Sequence, residues 1–150
     1  MCLMLTKDSS GSNQKFQPNS YFMKKLNKGE ITCYKVYDKH SLPKTHLNDY
    51  LSAIVKYQTI RAAGVVNSDR PYKELSLSEL KYGVCRGIHV FTSLKSAKKF
   101  IIPNTSEIIV PVICRKSDFI AQGMAGQAAF MKVRIRSRTW NKIFAKKVKC

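Results

Sequence analysis

Apolar and polar positions alternate most regularly near the carboxyl end, where Ala129, Met131, Val133 and Ile135 interleave with Lys132, Arg134, Arg136 and Arg138. Strand side chains point to opposite faces with period two, so this run predicts a strand with one core face and one cationic face. Upstream, Ile31-Thr32-Cys33-Tyr34-Lys35-Val36-Tyr37 gathers β-branched and aromatic residues between Lys28-Gly29 and Asp38-Lys39, and predicts the first strand. Gly87-Ile88-His89-Val90-Phe91 predicts another. Ile108 to Arg115 predicts a further strand, in which Pro111 lacks an N–H and argues for an edge position or a bulge. Gln122 to Gln127, with two glycines and small side chains, reads as a turn or loop.

Helical spacing is clearest at Leu47, Tyr50, Leu51, Ile54 and Val55, one face of a helix for which Gly64 is a stop. A helix of about two turns is expected from Ser76 to just before Gly83, because Ser76 and Glu79 have the spacing of a capping box. Thr92 or Ser93 caps a third, through Leu94, Ala97, Lys98 and Phe100, that Pro103 ends. Thr6 to Gln17 is rich in Ser, Asn, Lys and Gly, so residues 1–28 are expected to form a mobile N-terminal arm and residues 29–150 a single domain. Late runs of strand with a single strand–helix alternation favour α+β: a mostly antiparallel, twisted sheet of about four or five strands packed by two or three helices.

Charge changes the picture most. The chain carries 27 basic against 9 acidic residues, a net charge of +18 on 150 residues, and no acidic residue follows Asp118. Such a surplus repels itself and persists where a polyanion supplies the counter-charge. Same-face neighbours on a strand lie about 6.5 to 7 Å apart, so Lys132, Arg134, Arg136 and Arg138 would form a ladder of positive charge. Lys142, Lys146, Lys147 and Lys149 extend it, and Trp140 and Phe144 interleave rings on which a base could stack. The candidate nucleic-acid-binding residues are therefore Lys132, Arg134, Arg136, Arg138, Trp140, Lys142, Lys146 and Lys147, with DNA and RNA equally open. An acidic protein would fit the same face, and the bland reading is a solvated or aggregation-protected strand.

Other chemistry has little support. Cys2, Cys33, Cys85, Cys114 and Cys150 are scattered without a C-x-x-C pair, so no disulfide framework is expected; Cys33 and Cys114, inside apolar runs, read as buried thiols of a reducing compartment. Met1 to Leu5 is too short for a secretory signal, and the longest apolar run, Ile108 to Cys114, falls well below the ~20 residues of a membrane helix. A cytoplasmic protein is expected, in the host cytoplasm if viral, with no membrane contact. Cys85 and His89 lack two further paired ligands for zinc, so neither a metal nor a cofactor is expected. No nucleophile, base and acid share a local motif, and no catalytic residue is nominated.

At Met1-Cys2-Leu3, Ile31-x-x-Tyr34-Lys35-Val36, Gly87-Ile88-His89-Val90-Phe91 with Ala97, and Val110 to Gly123, the chain resembles a loosely defined group of small uncharacterised phage and bacterial proteins. That resemblance implies a phage-type accessory role and no activity. The stretch from Gly87 to Phe100 is also similar to the strand and helix that wall the nicotinamide pocket in ADP-ribosyltransferase-like folds. By that likeness His89, Phe91, Thr92, Ser93 and Phe100 would line a nucleotide pocket. The family's catalytic Glu has no secure counterpart here.

Overall fold

The computed structural model describes residues 3–38, 51–52, 57–61, 73–104, 107–140 and 142. Among them the main sheet holds eight strands: β3 (Glu30–Asp38), β4 (Leu51–Ser52), β5 (Tyr57–Arg61), β6 (Ile88–Phe91), β7 (Glu107–Arg115), β8 (Phe119–Gln122), β9 (Gln127–Phe130) and β10 (Lys132–Arg136). They lie in the order β4-β5-β10-β7-β3-β6-β9-β8, and every neighbouring pair is antiparallel. β1 (Thr6–Lys7) and β2 (Asn13–Gln14) form a small second sheet. Among the described residues four short α-helices accompany them: α1 (Tyr21–Leu26), α2 (Leu77–Tyr82), α3 (Leu94–Phe100) and α4 (Ser137–Trp140). The α+β class and antiparallel sheet agree with the sequence reading, and short strands widen the sheet beyond the four or five anticipated.

Directly opposed residues of neighbouring strands share a face, which sorts the sheet into two sides. Cys33 opposes Val112 and Ile31 opposes Cys114. With Val110, Val133 and Ile135 these face the main core, which α1 closes with Phe22, Met23 and Leu26. Thr32 opposes Ile113, Tyr34 opposes both Pro111 and Phe91, and Arg134 opposes Ile113, so all six lie on the other side of the sheet. α3 packs there: its Phe100 ring stands 5.1 Å from the Phe91 ring.

Local chemistry explains the helices. Ser76 Oγ accepts from Glu79 N while Glu79 Oε1 accepts from Ser76 N, both at 3.1 Å, and α2 ends at Gly83 with φ 106°. Ser93 Oγ accepts from Ser96 N at 3.2 Å to open α3. α1 starts likewise at Ser20, whose Oγ accepts from Met23 N.

The N-terminal segment is not an arm detached from the domain. Leu3 bridges to Val84 and Leu5 to Gly123, and both leucines are buried in a second core cluster with Ile120, Ala121, Ala129 and Met131. Polar composition hid these elements because a few apolar anchors, Leu3, Leu5, Phe22, Met23 and Leu26, carry the burial. The helix expected around Leu47 to Val55 is corrected where residues are described: Leu51–Ser52 and Tyr57–Arg61 are strands, and the rest lies outside the described residues. β5 pairs with β10 over five positions, from Arg61↔Lys132 to Tyr57↔Arg136, and that ladder overrides the helical spacing of the side chains.

Pro111 lies in an interior strand, not at an edge. β7 keeps a nine-pair register with β3, whereas its register with β10 has the single pair Ile113↔Arg134. The missing N–H thus falls two residues from that register pair with β10. The late alternating run is also broken in two. At Met131, whose N–H donates to Asp118 O at 2.8 Å, the chain passes from β9 to β10; Ala129 and Met131 enter the second cluster, Val133 and Ile135 the main core.

Cys33 and Cys114 are buried free thiols. Burial, with the neighbouring Cys33 thiol, pushes the Cys114 pKa well up, so Cys114 is an inert packing group. Cys85 departs from expectation: it is disulfide-bonded. Sequence spacing cannot reveal a pairing that only the fold brings together, and this bond removes the thiol argument for a reducing compartment. Among the described residues, no helix is long and apolar enough to cross a membrane.

Candidate nucleic-acid interface

β10 places Lys132, Arg134 and Arg136 on the sheet face opposite the main core, alternating with buried Val133 and Ile135. The floor beside them is open, since Thr32 and Pro111 are exposed and Ile113 half-buried. The three cations differ. Lys132 Nζ lies 3.7 Å from the carboxylate of buried Asp118, so its charge is partly neutralised within the fold. Arg134 is half-buried, and its Nε has no hydrogen-bond partner among the described residues. Arg136 is exposed.

The ladder stops at three. α4 starts at Ser137, so Arg138 leaves the strand and sits exposed on a helical turn. Lys142 is exposed just beyond it; Lys146 and Lys147 lie outside the described residues, and only the backbone of Trp140 is described, at the end of α4. Among the described residues Arg134, Arg136 and Arg138 form no ion pair, whereas Arg115 on the same side is 3.8 Å from Glu30.

The residues nominated for a nucleotide pocket are brought near one another but engaged in the fold. Phe91 is buried against Phe100. Thr92 donates to Gly126 O from both N, at 2.8 Å, and Oγ1, at 3.2 Å. Ser93 caps α3 and its Oγ donates to Ser96 Oγ at 2.9 Å. His89 Nε2 lies 3.1 Å from Arg86 O. Burial lowers the His89 pKa, the Arg86 carbonyl opposes that shift, and the Lys35 charge adds to it, so the ring is neutral at pH 7.

Sequence reasoning passed over one cationic group. Lys95, Lys98 and Lys99 line an open depression of about 520 Å³ with Leu94 on the outer side of α3. Their signal was present as helical spacing: Ala97, buried, and Phe100, stacked on Phe91, define the inner side, and the three lysines fall opposite. Comparison with known protein families, with curated proteins and with solved structures finds no match to this chain.

Proposed function

We propose that this chain is a non-enzymatic nucleic-acid-binding protein of the phage accessory kind, gripping phosphates through β10 and the residues that follow. The observation that carries the reading is the set Arg134, Arg136 and Arg138, which meets no carboxylate among the described residues and borders an open stretch of sheet. A guanidinium fork suits phosphate oxygens bidentately, and such contacts position a polyanion without reading its sequence.

Fluorescence anisotropy with a labelled oligonucleotide across a salt series tests this. If three phosphates are neutralised, log K falls with log salt at a slope of about −2.7 or steeper on a duplex, a loss of about fortyfold between 50 and 200 mM. A flat response overturns the reading. An acidic protein partner is the competing outcome, and capture that survives nuclease treatment with no oligonucleotide binding would favour it. The nucleotide-pocket reading has less support, because Phe91, Thr92 and Ser93 are already committed to packing and capping.

A further inference from the structure

Resting on the reading above, we infer that the partner is single-stranded nucleic acid, which crosses the open sheet face from the β10 arginines to α3, where Phe100 stacks a base and Lys95, Lys98 and Lys99 hold phosphates. Three observations meet on one side of the molecule. The register places Tyr34 and Phe91 on the same side as Arg134, and Phe100 packs onto Phe91, so α3 and the β10 cations flank one sheet face. Strands are spaced about 4.8 Å apart, so β10 stands two strands, or about 10 Å, from β3 and three, or about 14 Å, from β6. A single strand can bridge that width within a few nucleotides.

The second observation is the ring. Phe100 is 46% exposed although it stacks on Phe91, so one part of it packs and another faces solvent. Among the described residues the other exposed rings are Tyr21 and Tyr82, and each already has a lysine over it, Lys25 at 5.5 Å and Lys81 at 5.2 Å. Phe100 follows Lys98 and Lys99 directly, and Ile102, 62% exposed, adds apolar surface beside it.

The third is charge. Lys95, Lys98 and Lys99 form no ion pair among the described residues. At this end of α3 the Glu107 carboxylate accepts from Ile102 N at 3.2 Å. An aromatic face beside unpaired cations is the combination that single-strand binders use, because stacking tolerates any base while the cations track the backbone. A duplex keeps its bases stacked inside and gains nothing from Phe100.

The test compares a labelled single-stranded 12-mer with the corresponding duplex for wild type, Phe100→Leu, Phe100→Tyr, a Lys95→Gln/Lys98→Gln/Lys99→Gln triple variant and an Arg134→Gln/Arg136→Gln double variant. Wild type is expected to prefer the single strand. Phe100→Leu, which keeps apolar packing on Phe91, should lose about five- to 140-fold in single-strand affinity, and Phe100→Tyr should retain it. The triple lysine variant should flatten the single-strand salt slope by about 2.1. If duplex binds as well, and Phe100→Leu and the lysine variant bind like wild type while the arginine variant is weakened, the inference is overturned and the β10 reading stands. If no oligonucleotide binds wild type in a salt-dependent way, both fall.

Discussion

Replacing Gly123 by alanine should loosen the whole β8–β9 hairpin, because the new methyl has no room. A Cβ there would collide with Leu3 Cγ and Cδ1 and lie 2.9 Å from Met4 O. The carbonyl cannot step aside freely, since it accepts from Met124 N at 2.7 Å, and Leu3 is only 2% exposed. Overpacking of this kind costs about 1 to 3 kcal/mol, and at about 2 to 4 °C per kcal/mol for a domain of this length the melting point should drop by about 2 to 12 °C. Leu3→Ala alone removes a fully buried side chain and should cost about 2 to 5 kcal/mol. In the double variant the truncated Leu3 leaves space for the methyl added at position 123, so the combined loss should fall short of the sum by more than about 0.5 kcal/mol. Urea unfolding of the four proteins, read as midpoints at constant slope, closes the cycle. A neutral Gly123→Ala, or two losses that simply add, would refute the placement of the N-terminal segment against this turn.

Three further outcomes follow from the same geometry. His89 has a folded-state pKa below its usual value, so its neutral form stabilises the fold above the unfolded value of about 6.5, and that contribution is lost as the pH falls below it; melting curves from pH 8 to 5 should show the loss, and His89→Gln, which keeps a donor for Arg86 O, should reduce it. Glu79→Gln should cost about 1.5 to 3 kcal/mol in urea unfolding, because Arg86 Nε and Nη2 reach its two oxygens at 2.8 and 3.1 Å; the Arg86 bonds foremost, then Ser76, hold this carboxyl below its usual range, so its contribution should also fade as the pH drops through that lowered value. Lys132→Gln should leave the duplex salt slope nearly unchanged because Asp118 already engages the ammonium, whereas Arg136→Gln should make it shallower by about 0.9.

Where a local rule decides an element, the sequence was informative. Ser76 with Glu79 and Ser93 with Ser96 are visible as caps because the bond runs between residues three apart. The alternation of Val133 and Ile135 with Lys132 and Arg134 likewise survives folding. Elements decided by distant partners were not legible. Leu51 belongs to a run with helical spacing yet lies in β4, because β4 pairs with β5 and β5 in turn pairs with β10 far along the chain. Leu3 and Leu5 look like an isolated pair until Val84 and Gly123 come alongside.

The candidate site was half legible for the same reason. Period two identified the cationic side of β10, but it could not foresee that Asp118 would reach Lys132, or that α4 would begin at Ser137 and carry Arg138 off the strand. The α3 lysines were visible as residues, and only the strand order β10-β7-β3-β6 brings them to the same side as Arg134.

The most direct measurement is the salt dependence of oligonucleotide binding by an Arg134→Gln/Arg136→Gln/Arg138→Gln variant beside wild type, with melting curves to confirm that both are folded. Loss of three phosphate contacts should make the slope of log K against log salt shallower by about 2.1 on a single strand or about 2.7 on a duplex. Equal slopes for the two folded proteins would contradict the assignment of β10 and the turn after it as the phosphate-binding surface.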